Sequence, residues 1–381
     1  MSERRRRVAV LFGGRSSEHE ISCLSARSVI DALDPKTTDV IPIGIARDGR
    51  WHVLPGPPAL PGESGRMPEV ESGDGVIARL AEDNAGHPAL VLADGSRADF
   101  DVVFPVLHGP RGEDGAVQGL LELAGVPYVG AGVLGSALGM DKAIQKALWT
   151  AAGLPVVPHV AVLEHEWRDD PEGVAGRIAV LGFPVFTKPA SLGSSVGISK
   201  VADMAGLDEG MEEVFRYERK AVVERGIVPV REIECAVLGN DDPVASVCGE
   251  IVPRGHAFYD YEAKYLDEAG ADLRIPASLG PALASRVQRL AVAAFTTIAC
   301  AGMARVDMFV RDEDVWINEI NTIPGFTSIS MYPKLWEASG LPYAALVQRL
   351  LDLAVERHEA ERAKRIDVKE LHGRVEPEPS G

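Results

Sequence analysis

The length of 381 residues predicts two or three domains, and an apolar fraction of 46% supplies a core of normal size. The formal net charge of −17 argues against general binding of nucleic acids or membrane surfaces, because both require basic patches. An anionic substrate would therefore need a local cluster of lysines, arginines or metal ions. The four cysteines are widely spaced and no apolar run reaches the length of a membrane span, which indicates reduced thiols and a cytoplasmic protein.

The first segment, residues 1–135, alternates apolar strands with helical spacing and predicts an open α/β, Rossmann-like domain. Helical spacing predicts two helices, at about residues 21–33 and 116–124. A segment rich in proline and glycine, at about 54–75, predicts surface loop. Short apolar runs predict strands at residues 8–12, 40–45, 101–107 and 127–129.

The rest of the chain predicts two further domains and a tail. Residues 136–230 predict a compact α+β domain, with helices at 140–152 and 204–217 and strands at 155–162, 184–189, 196–201 and 221–224. Residues 231–360 predict two long strands, a helix at about 283–301, a hairpin and a final helix that ends near 358. The charged, proline-containing residues 361–381 predict a flexible tail.

Polar residues interrupt the apolar hairpin at 305–325. Asp307 breaks the alternation of the first strand, and Asn318, Glu319 and Asn321 break that of the second. If the loop is odd in length or the hairpin contains a bulge, Asp307 faces Glu319 and Arg305 lies near Asn321. Two facing carboxylates repel each other, and hard oxygen ligands of this kind suit Mg²⁺. The alternative is a solvated hairpin whose charges face water.

The sequence GAGVLG at residues 130–135 matches the Gly-x-Gly-x-x-Gly pattern of dinucleotide-binding turns. No acidic residue follows at about twenty positions, and no second strand closes a short βαβ unit. A tight turn between layers is therefore favoured over a nicotinamide or flavin site.

The segment 187–197 predicts a strand that ends in Lys188, followed by a loop of small residues and another strand. In such a loop, backbone N–H groups and hydroxyls can approach phosphate oxygens closely, although an ordinary glycine-rich hairpin is the alternative. Lys142 lies just inside a predicted helix start, where a positive charge is mildly unfavourable, so either a function or simple solvation explains it. Together with the carboxylate hairpin, these segments predict an ATP–Mg²⁺ site.

Six ordered segments carry a family resemblance: LFGGRSSEHEIS (11–22), HGPRGEDG (108–115), GAGVLGSALGMDK (130–142), KPASLGSSVG (188–197), FYDYEAKY (258–265) and the hairpin as far as residue 330. Through these segments the chain resembles the D-alanine–D-alanine ligases of the ATP-grasp superfamily, up to about residue 355. The resemblance implies an ATP-grasp fold, ATP and two Mg²⁺ or Mn²⁺ as cofactors, and a homodimer. It also implies that ATP activates one D-alanine as an acyl phosphate, which the amine of a second D-alanine attacks, in the synthesis of peptidoglycan precursors.

The resemblance also implies roles for individual residues. Asp307, Glu319 and Asn321 would hold the two metal ions, with Glu319 between them. Arg305 and the Gly325 N–H would stabilise the oxyanion of the tetrahedral intermediate. The groups expected at the D-alanine subsites are Glu18, His108, Ser194, Tyr265 and Ser330. The groups expected to contact ATP are Lys142, Lys188, Ser195, Glu224, Glu232 and Lys264.

The polar, aromatic loop at about 252–275 would be a lid that excludes water from the acyl phosphate. Tyr265 in this loop favours an amine over a hydroxy acid as second substrate, because relatives that make D-alanyl-D-lactate carry residues such as Phe or His there. D-Serine would use the same amine chemistry. The remaining alternatives are a D-alanine–D-lactate or D-alanine–D-serine ligase, a nicotinamide-dependent oxidoreductase and a non-catalytic nucleotide-binding module.

Overall fold

The fold is that of a computed structural model, which describes residues 4–60, 66–82, 88–253 and 271–364. Three β-sheets follow one another along the chain, and helices cover them, as the predicted mixed α/β architecture requires. The helices are α1 (His19–Ala32), α2 (Ala116–Leu123), α3 (Val133–Met140), α4 (Lys142–Ala151), α5 (Glu164–Asp169), α6 (Pro171–Ala179), α7 (Leu207–Phe215), α8 (Pro281–Thr297), α9 (Met331–Ala338) and α10 (Tyr343–Arg362). The strands are β1 (Arg6–Gly13), β2 (Thr38–Ile45), β3 (Trp51–Val53), β4 (Val76–Glu82), β5 (Pro88–Leu92), β6 (Arg97–Asp99), β7 (Val102–Pro105), β8 (His159–Leu163), β9 (Val185–Pro189), β10 (Ser199–Val201), β11 (Lys220–Arg225), β12 (Arg231–Gly239), β13 (Val244–Pro253), β14 (Ala271–Arg274), β15 (Gly302–Arg311) and β16 (Asp314–Asn321).

The first sheet has seven strands in the order β6-β5-β4-β3-β2-β1-β7. Strands β2, β1 and β7 are parallel, and β3 to β6 extend the sheet in antiparallel order. The predicted strands at 8–12, 40–45 and 101–107 are confirmed. The predicted strand at 127–129 is wrong, because this segment forms only one bridge, between Val103 and Tyr128. Strands β3 to β6 were not predicted, and two of them have only three residues.

Strand β1 is apolar from Val8 to Phe12, where both of its faces are buried. Val8, Val10 and Phe12 belong to a core cluster that includes residues of α1 and α10. Ala9 and Leu11 face the opposite way, into a cluster that includes residues of α2. The carboxyl end of β1 therefore lies between two cores, and its glycine turn opens at the edge where ligands of open α/β sheets bind.

The second sheet has four strands in the order β10-β9-β11-β8, with all pairs antiparallel. The predicted helix at 140–152 is wrong at its start, because Asp141 separates α3 from α4. The Asp141 side chain accepts hydrogen bonds from the N–H groups of Ala143 and Ile144 and so caps α4. Lys142 is the first residue of α4, as predicted. The predicted helix at 204–217 begins with a short 3-10 turn, Met204–Gly206, followed by α7.

The third sheet has five antiparallel strands in the order β14-β13-β12-β15-β16. One face packs against α8 through a core that includes Ile233, Val306 and Phe295. The other face packs at one end against α9 and α10, in the same core that contains Val8 of β1. The first and third sheets therefore share apolar contacts, which hold the ends of β1, β7 and β16 near each other.

Gly130 and Gly135, at the two ends of the glycine turn at 130–135, are buried. A Cβ atom on Gly135 would lie 2.7 Å from the carbonyl oxygen of Ala299, so only glycine fits there. The Gly130 carbonyl accepts a hydrogen bond from Arg357, and Gly302 lies against Gly130. The predicted tight turn between layers is confirmed. Within the described ranges, no helix is both long and apolar enough to cross a membrane.

Candidate active site

The hairpin of β15 and β16 has the register predicted from sequence. Asp307 is paired with Glu319, and Arg305 is paired with Asn321. The pairing shifts between Asp307 and Met308, because Asn318 is an extra residue in β16. This β-bulge brings the two carboxylates to the same face of the sheet.

Arg305 joins the carboxylates of two strands. Its Nε and Nη2 atoms donate to the two carboxylate oxygens of Asp307, both at 2.7 Å. Asn321 Nδ2 donates to Asp307 Oδ2 at 3.0 Å. Glu234 of β12, which is paired with Asp307, places Oε2 at 3.1 Å from Arg305 Nε. The face therefore carries a row of three acids, Glu234, Asp307 and Glu319, across three adjacent strands.

The predicted metal ligands present a donor set that suits Mg²⁺. Asp307, Glu319 and Asn321 offer carboxylate and amide oxygens from facing strands, and Mg²⁺ prefers oxygen ligands, completed by water and substrate phosphates. The residues that the structure describes contain no group of three or more His, Cys, Asp or Glu side chains arranged for a metal. A site with only two carboxylates therefore depends on substrate oxygens to complete the coordination.

Lys142 connects the second sheet to the hairpin. Its Nζ lies 3.3 Å from Glu319 Oε2 and donates to the Leu192 carbonyl at 2.8 Å. Leu192 precedes Gly193 in the small-residue loop, and the next two residues, Ser194 and Ser195, have left-handed φ angles of 52° and 60°. Such angles are uncommon outside glycine, and they cluster at functional sites.

A second group of charges is buried where α4, β9 and β11 meet. Glu224 of β11 lies between two lysines, with Lys146 Nζ at 3.0 Å and Lys188 Nζ at 2.8 Å. Although burial opposes it, the two ammonium groups hold the pKa of Glu224 below its ordinary value. Burial lowers the pKa of Lys146 to about 8, and Lys188 adds to this effect, while Glu224 opposes it. Both lysines also reach Asn318, whose carbonyl accepts from Lys146 at 2.6 Å and whose Oδ1 accepts from Lys188 at 3.3 Å.

On the side of the first sheet, Glu18 precedes α1 and is largely buried. Ser194 Oγ donates to Glu18 Oε1 at 2.5 Å, so two of the residues expected at the D-alanine subsites are in contact. Gly109 and Gly193 flank this carboxylate, and a Cβ on Gly109 would lie 2.9 Å from Glu18 Oε2. Tyr265, which is expected at the same subsites, lies outside the described residues, as do Lys264 and most of the predicted lid at 252–275.

His108 and Glu113 hold the loop that follows β16. Glu113 accepts hydrogen bonds from the N–H groups of Gly109 at 2.7 Å and Ile323 at 3.2 Å. The His108 Nδ1 lies 3.1 Å from the Ile323 carbonyl, and its Nε2 lies 3.1 Å from Ser25 Oγ. Since a carbonyl only accepts, Nδ1 carries the proton and Nε2 accepts from the serine hydroxyl. The backbone N–H and C=O of Ile323 are thus both fixed by the first domain.

Two groups in this loop assembly have displaced pKa values. Withdrawal from water, together with the negative charge of Glu18, raises the pKa of Glu113 to about 8. Burial lowers the pKa of His108, although the Glu18 carboxylate opposes this effect. His108 is therefore neutral at pH 7, in agreement with its hydrogen-bond partners.

The same loop brings Gly325 next to Ser330. A Cβ on Gly325 would lie 3.1 Å from Ser330 Oγ, so a side chain there would crowd the serine. Ser330 Oγ accepts from the Thr327 N–H at 3.1 Å and lies 2.7 Å from the Thr327 hydroxyl.

Glu232 is two residues before Glu234 on the same face of β12 and is partly exposed. The predicted roles of these residues stay predictions.

Four side chains of the site were not singled out from the sequence: Ser25, Glu113, Lys146 and Glu234. Lys146 has a sequence signal, because it lies one helical turn after Lys142 and therefore on the same face of α4. Glu234 has a similar signal, because it lies two residues after Glu232 in a strand. The contacts of Ser25 and Glu113 with residues 323–326 join segments about 200 to 300 positions apart, and no local pattern indicates them.

Comparisons with known proteins match nearly the whole chain. Family models for the N-terminus and the C-terminus of D-ala D-ala ligase match residues 7–131 and 148–352. A D-alanine–D-alanine ligase of Pseudarthrobacter chlorophenolicus is 50% identical over 362 residues, which are 92% of this chain and 94% of the relative.

Two solved structures extend the comparison to the fold. The D-alanine-D-alanine ligase from Coxiella burnetii has a TM-score of 0.80 and 39% identity, over 94% of this chain and 96% of that chain. The VanG D-Ala:D-Ser ligase from Enterococcus faecalis also has a TM-score of 0.80, with 34% identity, over 92% of this chain and 100% of that chain.

Proposed function

Because the chain belongs to the D-alanine–D-alanine ligase family, whose members have the ATP-grasp fold, we propose that it joins two D-alanine molecules into D-alanyl-D-alanine for peptidoglycan precursor synthesis. ATP would be converted to ADP and phosphate. The observation that carries this proposal is the convergence of the carboxylate hairpin, Lys142 and the Glu18–Ser194 pair around one cleft. The cleft is lined by Glu113, Lys142, Gly193, Glu319 and Asn321.

In the first step, a carboxylate oxygen of the first D-alanine attacks the γ-phosphorus of ATP. The bond between that phosphorus and the oxygen bridging to the β-phosphate breaks, and ADP leaves. Phosphoryl transfer needs chiefly positioning and neutralisation of charge. Lys142 and Lys188 would supply positive charge, and the serines of the 191–197 loop would donate to phosphate oxygens. Glu224 and Glu232 would contact the nucleoside, and in the structure Glu224 also holds Lys188 in place.

Asp307, Glu319 and Asn321 would hold Mg²⁺ or Mn²⁺, two ions in our proposal, which would neutralise phosphate charge. In the structure Asp307 accepts hydrogen bonds from Arg305 and Asn321, so an ion bound by Asp307 would replace part of these hydrogen bonds. The chemistry of the side chains fits such ions, because every ligand is a hard oxygen atom.

In the second step, the deprotonated amine of the second D-alanine attacks the carbonyl carbon of the acyl phosphate. Negative charge develops on the carbonyl oxygen. Phosphate then leaves as the peptide bond forms, and the proton that the attacking nitrogen loses is taken up by the released phosphate. Arg305 and the Gly325 N–H would stabilise this charge. Glu18 would bind the ammonium group of the first D-alanine, with His108 beside it, and Ser330 would bind the carboxylate of the second.

The test is phosphate release from ATP with three candidate second substrates: D-alanine, D-serine and D-lactate. We expect strong activity with D-alanine at neutral pH and little with D-lactate, because Tyr265 favours an amine. Strong activity with D-serine and weak activity with D-alanine would support the specificity named for the VanG relative. Activity with D-lactate alone would overturn the proposal.

We also propose that the protein acts as a homodimer in the cytoplasm. The family suggests that the first domain forms the dimer contact. Analytical ultracentrifugation of the full chain would give a mass near twice 40.7 kDa if this is correct.

A further inference from the structure

We propose that Glu234 is a positioning residue that holds the Arg305 guanidinium for its work on the reacting carbonyl oxygen. This inference rests on the proposed role of Arg305 as an oxyanion stabiliser. Glu234 belongs to none of the predicted site residues, and it would act only through Arg305.

Glu234 lies in the row of acids but at the opposite end from Glu319. It is paired with Asp307 on one side and with Gly249 of β13 on the other. Gly249 is buried, and a Cβ there would lie 2.8 Å from the Met331 sulfur. This end of the row is therefore enclosed by apolar side chains, and Glu234 itself is 6% exposed.

A carboxylate so enclosed needs a positive partner, because removing an ion from water is costly. Arg305 supplies that charge, with Nε 3.1 Å from Glu234 Oε2. The same Nε donates to Asp307 at 2.7 Å, so the guanidinium lies between acids of two neighbouring strands.

Asp307 and Glu234 differ in the other contacts that they make. Asp307 also accepts a hydrogen bond from Asn321 and is a proposed metal ligand, so Arg305, Asn321 and a metal ion would compete for its oxygens. Glu234 lies one strand further from Glu319, outside the proposed metal ligands. When Asp307 turns its oxygens towards a cation, Glu234 still holds the Nε end of Arg305. The terminal nitrogens of the guanidinium, one of which donates to Asp307 in the structure, would then be directed at the substrate oxygen.

The decisive variant is Glu234→Gln, which keeps the size of the side chain and removes its charge. We expect kcat to fall at least tenfold, while KM for ATP stays within twofold, because Glu234 itself makes none of the proposed nucleotide contacts. Direct calorimetric titration of Mn²⁺ in the presence of ADP should show at least fivefold weaker binding, because Arg305 then draws more strongly on the Asp307 carboxylate and competes with the metal ion for it.

A double-mutant cycle with Arg305→Lys separates positioning from a general structural effect. Lysine lacks the Nε donor, so Glu234→Gln should lower kcat by less than a further twofold in that background. An equal loss in both backgrounds, or unchanged kcat and Mn²⁺ binding in the single variant, would overturn the inference. If Arg305→Lys alone keeps full activity, the proposed function of Arg305 fails instead.

Two further variants complete the design. Glu250→Gln makes the same charge change at a buried acid on β13, on the opposite face, where Glu250 pairs with Arg231 at 2.7 Å. We expect its kcat to stay within twofold of the wild type. Circular dichroism would show whether Glu234→Gln folds. If it does not, Glu234→Asp tests the positioning role instead, because aspartate keeps the charge on a shorter side chain. Positioning predicts a reduced kcat for Glu234→Asp, and wild-type kcat would refute it.

Discussion

Replacing Glu224 with glutamine should destabilise the protein severely, because two buried lysines would lose the carboxylate that both of them contact. Lys146 and Lys188 lie on different oxygens of the Glu224 carboxylate, at 3.0 and 2.8 Å. Lys146 has no exposed surface, and Lys188 is 7% exposed. Water therefore cannot take over the role of the carboxylate without a change in the packing.

The magnitude follows from the two contacts. At an effective dielectric constant of about 20, each ion pair near 3 Å has a Coulomb attraction of roughly 5 to 6 kcal/mol. The desolvation of the ions offsets much of this attraction, and breaking a buried pair from one side costs about 3 to 5 kcal/mol. We expect Glu224→Gln to lose an amount in this range, which is a large part of the stability of an ordinary domain.

The loss should depend on pH in a specific direction. The pKa of Lys146 is lowered to about 8 from 10.5, and removing Glu224 lowers it further. Above its folded pKa, Lys146 is neutral in the folded state but charged in the unfolded state, so stability rises with pH there. In the variant this rise in stability begins at a lower pH. The difference in unfolding free energy between wild type and variant should therefore narrow by about 1.4 kcal/mol for each pH unit between the Lys146 pKa of the variant and pH 8.

Urea unfolding of wild type and variant at pH 6, 7, 8 and 9 measures both effects. The double variant Glu224→Gln with Lys146→Met should recover part of the loss, because only one buried ammonium then remains. Glu212→Gln is the matched control in the same domain, since Glu212 pairs with Arg168 at an exposed site and should cost less than about 1 kcal/mol. A deficit for Glu224→Gln below 1 kcal/mol that does not vary with pH would refute the reasoning.

Three other changes test the neighbouring contacts. Ser25→Ala removes a buried hydroxyl that contacts His108 and accepts from the Phe326 N–H, so urea unfolding should show a loss of about 1 to 3 kcal/mol. The pKa of Glu113 is raised from 4.5 to about 8, so its contribution to stability is full below pH 4.5 and is lost as pH rises through 8. From pH 5 to pH 8, the free energy of unfolding of Glu113→Gln should therefore rise relative to that of the wild type by at least 2 kcal/mol. If it does not rise relative to the wild type, this pKa of Glu113 is wrong. Glu319→Ala should lower ligase activity at least 100-fold with little change in melting temperature, and chelation of divalent cations should abolish phosphate release until Mg²⁺ or Mn²⁺ is restored.

The parts of the fold that the sequence predicted are those with a local signal. The apolar run of β1 and the polar residues at the ends of β15 and β16 belong to this class. Strands β3 to β6 carry a weaker signal, because β3 and β6 have three residues each and their pairing partners, not their own composition, make them strands. The predicted helix start at residue 140 lies two residues too early, although Asp141 itself is a preferred helix cap.

In the predicted site, too, the features that were predicted are those with a local sequence signal. The pairing of Asp307 with Glu319 was predicted because both lie in one hairpin, where separation along the chain limits the possible registers. The contacts of Glu234 with Arg305 and of Glu113 with Ile323 depend on which strands become neighbours and which loops meet. Sheet order is set by the whole chain, so a local pattern can suggest that such a residue faces the site but cannot identify its partner.

The bulge at Asn318 shows how one residue fixes several parts of this site together. Met308 is paired with Ile317, so a regular ladder would pair Asp307 with Asn318 and would turn Glu319 to the opposite face, towards α8. The extra residue returns Glu319 to the face of Asp307 and Lys142. Because Asn318 leaves the ladder, its carbonyl and side-chain oxygen are available to Lys146 and Lys188. The register of the carboxylates and the docking of the second sheet on the hairpin therefore have one cause. Deleting this residue should disrupt metal binding and lysine positions at once, whereas a substitution at Asn318 that keeps the backbone should spare the register.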